Sequence, residues 1–82
     1  MTFEEKLEQS SLIKGIEYEY ASRSLVITFK SGNKPRWRYK KFPESEFERF
    51  KAADSLGKFF HAEIKGKIDE KGEPLYPAEA VI

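Results

Sequence analysis

A change in hydrophobic period near Pro43 is the feature that most limits how this chain can fold. Between residues 12 and 40, apolar and polar residues alternate with period two, as they do in half-buried β-strands. After Pro43 the spacing becomes four, with apolar residues at Leu56, Phe60 and Ile64, which is typical of an amphipathic helix. The order of the two patterns predicts an α+β protein in which the strands precede the main helices.

The first half of the chain predicts a three-stranded antiparallel β-meander. Alternating segments around Tyr18, Ile27 and Trp37 are separated by a turn at 21–23 and a loop at 31–35. Connections this short make neighbouring strands antiparallel. One face of the sheet must be covered, and two C-terminal helices are predicted to pack on it.

Helix boundaries follow from capping residues. Pro43 precedes acidic residues that suit the first turn of a helix, and Asp54 or Ser55 caps a second helix that Gly66 ends. An optional short helix is predicted at residues 2–9, with Thr2 as N-cap and Glu5 completing a capping box. The predicted organisation is an N-terminal helical extension, a folded domain and an extended C-terminal tail, over residues 1–10, 11–67 and 68–82.

Length and composition favour a binding module over an enzyme. A chain of 82 residues makes one small domain, which has little interior for a catalytic cleft. It has no Cys and one His, His61, which is expected to be a surface bystander. Glu17 and Glu19 lie two residues apart on one strand face, as a general acid and base could, but alternation on a solvated strand produces such pairs without any catalytic role. We expect no catalytic residue, metal or cofactor, no membrane segment, and a cytoplasmic location.

The third strand must present either its aromatic or its basic residues to the helices. Burying cations costs far more than exposing two aromatic rings, so Trp37 and Tyr39 are predicted to face the core. Arg36, Arg38 and Lys40 then face solvent on the other side of the sheet.

The same region holds the densest charge in the chain, a stretch from residue 30 to residue 41 without an acid. Its cations are the candidate nucleic-acid-binding residues: Lys30, Lys34, Arg36, Arg38, Lys40 and Lys41. A basic stripe on an open sheet can track a phosphate backbone. Two alternatives remain: solvating charges on an edge strand, balanced by Glu17 and Glu19, or a site for an acidic protein. With Trp37 in the core, no exposed aromatic is expected, which favours backbone contacts over base stacking.

The C-terminal tail suggests a second class of function. Its apolar residues either fold back on the domain or bind a protein partner; they are Leu75, Tyr76, Val81 and Ile82. A protein-interaction or assembly module, monomeric or weakly self-associating, is the alternative function.

Several motifs together resemble one small family. They are Ser11-Leu-Ile-Lys-Gly-Ile-Glu-Tyr18, Leu25-x-Ile-x-Phe29, Gly32, Trp37-Arg-Tyr39, Pro43, and Ala53-Asp-Ser-Leu-Gly-Lys-Phe-Phe60 with Ile64. This set is similar to the KTSC domain, over about residues 11 to 67. The most specific part is Ala53, Ser55, Gly57, Phe59 and Phe60.

The resemblance implies a bacterial or phage domain of the kind also found at the C-terminus of some lysyl-tRNA synthetases. That attachment implies RNA as a candidate ligand. Two positions depart from the family pattern: Trp37 replaces the first Tyr of a Tyr-x-Tyr, and His61 stands where members often carry Asn.

Overall fold

The computed structural model of the chain describes residues 2–32 and 35–81. It has an α+β architecture in which helices cover one face of an antiparallel sheet. The strands are β1 (Ile13–Glu19), β2 (Ser24–Phe29), β3 (Arg36–Tyr39) and β4 (Ala78–Ala80). The helices are α1 (Phe3–Gln9), α2 (Glu44–Ala52) and α3 (Leu56–Phe59), the last continued by a π-helical segment, Phe60–Lys65.

The sheet has four strands in the order β1-β2-β3-β4, rather than the three that the sequence predicts. The fourth strand forms because a turn after Lys67 reverses the chain. The Asp69 carboxylate accepts hydrogen bonds from the backbone N–H groups of Lys71 and Glu73, at 2.8 and 3.0 Å. Gly72 supplies the left-handed backbone of this turn, with φ +82°. Residues 78–80 then pair with β3 as strand β4. With three residues, β4 is too short to show a hydrophobic period in the sequence.

Strand pairing confirms the predicted register of β3. Tyr39 lies opposite Leu25, and Trp37 lies opposite Ile27, so the four side chains share one face of the sheet. That face meets the helices: Leu25 and Ile27 are fully buried, Tyr39 is 8% exposed, and Trp37 packs against the core. The other face carries the exposed Arg36 and the half-buried Arg38, with Val26 buried opposite Arg38 at 3% exposure.

The helices bury aromatic residues against this core face. Phe47 and Phe50 of α2 are buried, as are Leu56, Phe60 and Ile64 at their four-residue spacing. The Phe60 ring makes edge-to-face contacts with Phe29 and Tyr39 at centroid distances of 5.3 and 5.8 Å.

Side chains cap the helices where the sequence predicts. Thr2 Oγ1 accepts a hydrogen bond from the Glu5 N–H, and Ser55 Oγ accepts one from the Lys58 N–H. Gly66 follows the π-helical segment but has φ −90°, so its backbone is not left-handed. A Cβ at Gly66 would lie 3.1 Å from the His61 carbonyl oxygen. Close approach of backbone, rather than positive φ, therefore favours glycine there.

Candidate nucleic-acid interface

The solvent face of the sheet carries a set of ion pairs that links β1, β3 and β4 across β2. We call it the outer-face ladder, and its members are Glu17, Glu19, Arg36, Arg38, Lys40 and Glu79. Strand alternation places Glu17, Val26, Arg38 and Glu79 in one row across the sheet. Three predicted cations therefore meet three acids from the first and last strands.

Arg38 is the centre of the ladder. Its Nε lies 2.8 Å from Glu19 Oε1, and its Nη1 lies 3.2 Å from Glu79 Oε1. The hydrogen bonds to Glu19 and Glu79 raise the pKa of Arg38, and the hydrogen bonds from Arg38 and Lys40 lower the pKa of Glu79. Both shifts stabilise the charged forms, so Arg38 and Glu79 stay ionised at neutral pH.

The remaining cations of the ladder are paired at longer range. Arg36 Nη2 lies 3.5 Å from Glu17 Oε1, and Lys40 Nζ lies 3.4 Å from Glu79 Oε2. The ladder is thus electrically balanced. A polyanion that bound along it would have to compete with the protein's own carboxylates.

Lys30 lies at the end of α1, where its ammonium group caps the helix. The Lys30 Nζ donates hydrogen bonds to the carbonyl oxygens of Leu7, Glu8 and Ser10. A cation at the carboxyl end of a helix is favoured by the helix dipole and by the unpaired carbonyls there. Lys30 therefore has a structural role, while Lys34 lies outside the described residues.

A hollow of about 780 Å³ lies beside the ladder, between the β1–β2 turn and the connection from β3 to α2. We call it the cationic cleft. It is lined by Glu19, Ser22, Arg23, Ser24, Arg38, Lys40, Lys41 and Pro43. Four basic side chains and one acidic side chain surround this volume. The structure thus brings together three of the predicted residues, Arg38, Lys40 and Lys41, and adds Arg23.

Arg23 and Lys41 differ from the ladder cations in backbone and in pairing. Their φ angles are +52° and +59°, the left-handed region that residues with a Cβ rarely adopt. The Phe42 N–H donates a 2.9 Å hydrogen bond to the Arg23 carbonyl and holds the two turns side by side. Within residues 2–32 and 35–81, neither Arg23 nor Lys41 forms an ion pair.

An exposed aromatic ring adjoins the cationic cleft. Strand β1 ends at Glu19, so Tyr20 leaves the core face on which alternation placed it and is 58% exposed. Its ring packs edge-on against Tyr18 at a centroid distance of 4.8 Å. A second hollow of about 410 Å³, lined by Tyr18, Tyr20 and the acidic Glu44, shares Arg23 and Pro43 with the cationic cleft.

Sequence reasoning missed Arg23 and Tyr20 because both lie in the turn between β1 and β2. A residue after the last paired position of a strand no longer obeys the alternation of that strand. The signal in the sequence was an arginine within a three-residue turn, where Gly or Asn is the usual residue with positive φ. The expectation that no aromatic is exposed is accordingly corrected by Tyr20.

The C-terminal segment folds back on the domain through Tyr76 and through the backbone of Val81. Tyr76 is buried and packs edge-on against Phe42 at 4.7 Å, and the Val81 N–H donates a 3.0 Å hydrogen bond to the Arg36 carbonyl. Leu75 is 40% exposed. Ile82 lies outside the described residues.

Other chemistry is sparse in the part of the chain that the structure describes. Residues 2–32 and 35–81 contain no group of three metal-ligating side chains. None of the helices described is long and apolar enough to cross a membrane. His61 is exposed, and Glu17 and Glu19 each pair with an arginine.

Comparisons with known proteins agree on one family. The model of the KTSC domain matches residues 9–67. A crystal structure of a KTSC domain protein from Yersinia pestis is similar, with 30% sequence identity, a TM-score of 0.71, and 89% of each chain covered. No curated protein matches the chain.

Proposed function

The chain belongs to the KTSC domain family, and from that premise we propose that it is a non-enzymatic module that binds single-stranded RNA at the cationic cleft. The observation that carries the proposal is the pair Arg23 and Lys41. Both hold a strained backbone conformation, both lack an acidic partner among the described residues, and both line the same hollow. Strained backbone concentrates at functional sites, where the surrounding structure maintains it.

Electrostatics supports a phosphate ligand. Arg38 and Lys40 are offset by Glu19 and Glu79, so the positive potential of the hollow comes from Arg23 and Lys41. Arg23 and Lys41 are free to contact phosphate oxygens without first breaking an ion pair of the fold. Contacts of this kind bind the nucleic-acid backbone with low sequence preference.

Tyr20 supports a single strand over a duplex. Single-strand binders combine a cationic groove with aromatic side chains on which bases stack. Tyr20 is the large exposed ring next to the cleft, and Arg23 lies between the two hollows. If a base stacked on Tyr20, the phosphate of the same nucleotide would lie near Arg23, at the border of the cationic cleft. The attachment of similar domains to lysyl-tRNA synthetases favours RNA over DNA.

The test is a salt titration of binding to a fluorescent single-stranded RNA of about ten nucleotides. Each phosphate contact contributes roughly −0.7 to the log-log slope of affinity against salt, so three contacts give a slope of roughly −2. The double variant Arg23→Glu/Lys41→Glu should bind far more weakly and have a slope less steep by roughly 1.4.

The matched control is Lys14→Glu/Lys58→Glu, which makes the same change in net charge at two exposed lysines away from the cleft. It should keep the native slope. The absence of binding at low salt, or an equal loss in both double variants, would remove the cationic cleft from consideration.

A second test separates stacking from charge. Tyr20→Ala should weaken binding of single-stranded RNA about tenfold, since stacking on an aromatic residue contributes about 1 to 3 kcal/mol per base. The salt slope should stay unchanged because no cation is lost. Equal weakening for duplex RNA would contradict base stacking at Tyr20.

The strained backbone allows a test that separates stability from binding. Arg23→Gly should raise the free energy of unfolding by up to about 1 kcal/mol, because glycine adopts positive φ without strain. The same variant should weaken RNA binding. A change that stabilises the fold and impairs binding is expected of a residue kept for function.

A protein partner is the second candidate function, supported by the exposure of Ile68 and Leu75. These two residues lie on the turn before β4 and are 63% and 40% exposed. If the module assembles through them, Leu75→Ser should abolish concentration-dependent association in sedimentation experiments and leave RNA binding intact.

A further inference from the structure

An aromatic cavity lies on the opposite side of the sheet from the outer-face ladder. Its volume is about 550 Å³, and its walls lie between β2, β3, the π-helical segment and the chain leading to β4. The rings that line it are Phe29, Trp37, Tyr39, Phe60 and Tyr76. A cavity of this size with mainly apolar walls, which include five aromatic rings, is within the range that small-molecule sites occupy.

The packing of the rings determines which ligand shape fits. Phe60 contacts Phe29 and Tyr39 edge-to-face, with interplanar angles of 66° and 78°. Rings set at steep angles to each other present both faces and edges to the space between them. A planar aromatic ligand can therefore make offset-stacked and edge contacts in one site, which an aliphatic ligand cannot.

The exposed rim of the cavity is polar, and its one charged side chain among the described lining residues is Lys65. Ser31, His61 and Lys65 line the rim, and no acidic residue is among the lining residues described. Within residues 2–32 and 35–81, Lys65 forms no ion pair. The charge of the site is thus complementary to an anionic substituent.

His61 and Lys65 both lie on the π-helical segment, as do Phe60 and Ile64 in the cavity wall. Turns with i→i+5 hydrogen bonds are rare in helices and occur frequently at functional sites. One uncommon backbone element therefore supplies part of the aromatic wall and the cation at the rim.

We propose that this cavity binds a small planar aromatic molecule that carries one anionic group, with the ring between Trp37 and Phe60 and the anion at Lys65. The Tyr39 phenol is protonated at neutral pH, and burial, which raises its pKa to about 12, keeps it so in alkaline solution. The wall therefore keeps a hydrogen-bond donor for a polar atom of the ring. This site is separate from the cationic cleft and does not depend on RNA binding.

The experiment uses Trp37, the single tryptophan of the chain, as a reporter. Its indole N–H gives one identifiable resonance in a ¹H–¹⁵N NMR spectrum. The full chain is titrated with 2-naphthoate, with its neutral analogue 2-naphthamide, and with cyclohexanecarboxylate, which is anionic but not aromatic. A saturable shift of the Trp37 resonance with 2-naphthoate is expected. 2-Naphthamide should bind about fivefold more weakly, and cyclohexanecarboxylate should not saturate.

The matched variants are Lys65→Gln and Lys58→Gln. Both remove one exposed lysine from the same continuous helical stretch, but Lys58 is not part of this cavity. Lys65→Gln should weaken 2-naphthoate about fivefold and leave 2-naphthamide unchanged, whereas Lys58→Gln should change neither. The proposal is overturned if 2-naphthoate produces no saturable shift, if 2-naphthamide binds equally well, or if the two variants have the same effect.

A further titration distinguishes two sources of such a ligand. Adenosine 5′-monophosphate is a nucleotide, whose anionic group is a phosphate. 2-Naphthoate is an aromatic acid, whose anionic group is a carboxylate. Saturation with the nucleotide at lower concentration than with 2-naphthoate assigns the site to nucleotides, and the reverse order assigns it to aromatic acids. Both results support the site. The double variant Arg23→Glu/Lys41→Glu, which should bind RNA weakly, should bind both probes with the affinity of the native protein.

Discussion

The two faces of the sheet use alternate residues of the same strands and are stabilised by different forces. On the core face, Leu25 and Tyr39 lie opposite each other and are buried under Phe60. On the outer face, Arg38 lies one position away from Tyr39 and is held by Glu19 and Glu79. The core face gains free energy by removing apolar area from water, whereas the outer face exchanges hydration for ion pairs that remain exposed. Neighbouring residues should therefore differ sharply in their contribution to stability.

The largest expected effect is on the core face. Phe60→Ala removes a ring that contacts both Phe29 and Tyr39, and the expected loss is about 3 to 5 kcal/mol, comparable with the whole stability of a small domain. Denaturant titration measures it. His61→Ala, one residue away and exposed, is the control and should stay within about 0.5 kcal/mol. Similar midpoints for the two variants would show that burial of the Phe60 ring does not stabilise the core face.

A smaller effect comes from the one ionisable group of the core face of β3. The pKa of the Tyr39 phenol is about 12 in the folded state because burial disfavours phenolate, against about 10 when unfolded. The unfolded chain releases this proton first, so the free energy of unfolding should fall as pH rises from about 10 to about 12. Tyr39→Phe lacks this contribution. Its difference from the native protein should be constant below about pH 10 and change above it. Parallel pH profiles would show that the phenol is solvated.

The smallest effect is expected on the outer face. Arg38→Ala removes two exposed ion pairs, and its denaturation midpoint should move much less than that of Phe60→Ala. The shift should diminish in about 1 M salt, where the screening length is near 3 Å. Lys14→Ala, at an exposed position without an ion pair among the described residues, should show no such salt dependence. A large, salt-insensitive loss at Arg38 would mean that packing, rather than charge, stabilises the outer face.

The core face was predictable from the sequence, whereas the outer face was predictable only in part: Glu17 and Glu19 were identified as acids that balance the basic residues, and Glu79 was not. Burial follows from the chemistry of each residue, so alternation was sufficient to orient Trp37 and Tyr39 correctly. Ion pairing depends on which strands become neighbours, and Glu79 reaches Arg38 only because β4 joins the sheet. The predicted basic stripe was thus right in its placement on the solvent face, while its neutralisation by a distant acid had no local signal.

In the candidate site, too, local features were predictable from the sequence and features that depend on the meeting of distant segments were not. Lys40 and Lys41 were identified from charge density, whereas Arg23 required knowledge of how two turns meet. Positive φ at a residue with a Cβ has no signature in composition or period.

The addition of β4 to the sheet also determines how the domain assembles and where it opens first. Strands β1, β2 and β3 are joined by short connections, so their contacts form between residues close in sequence. The pairing of β3 with β4 joins segments separated by two helices, and contacts of such long range carry the greater closure entropy. We therefore expect β4 to dock last during folding and to detach first in the native state. Because Ala78 lines the aromatic cavity, each detachment would uncover that cavity without unfolding the rest of the sheet.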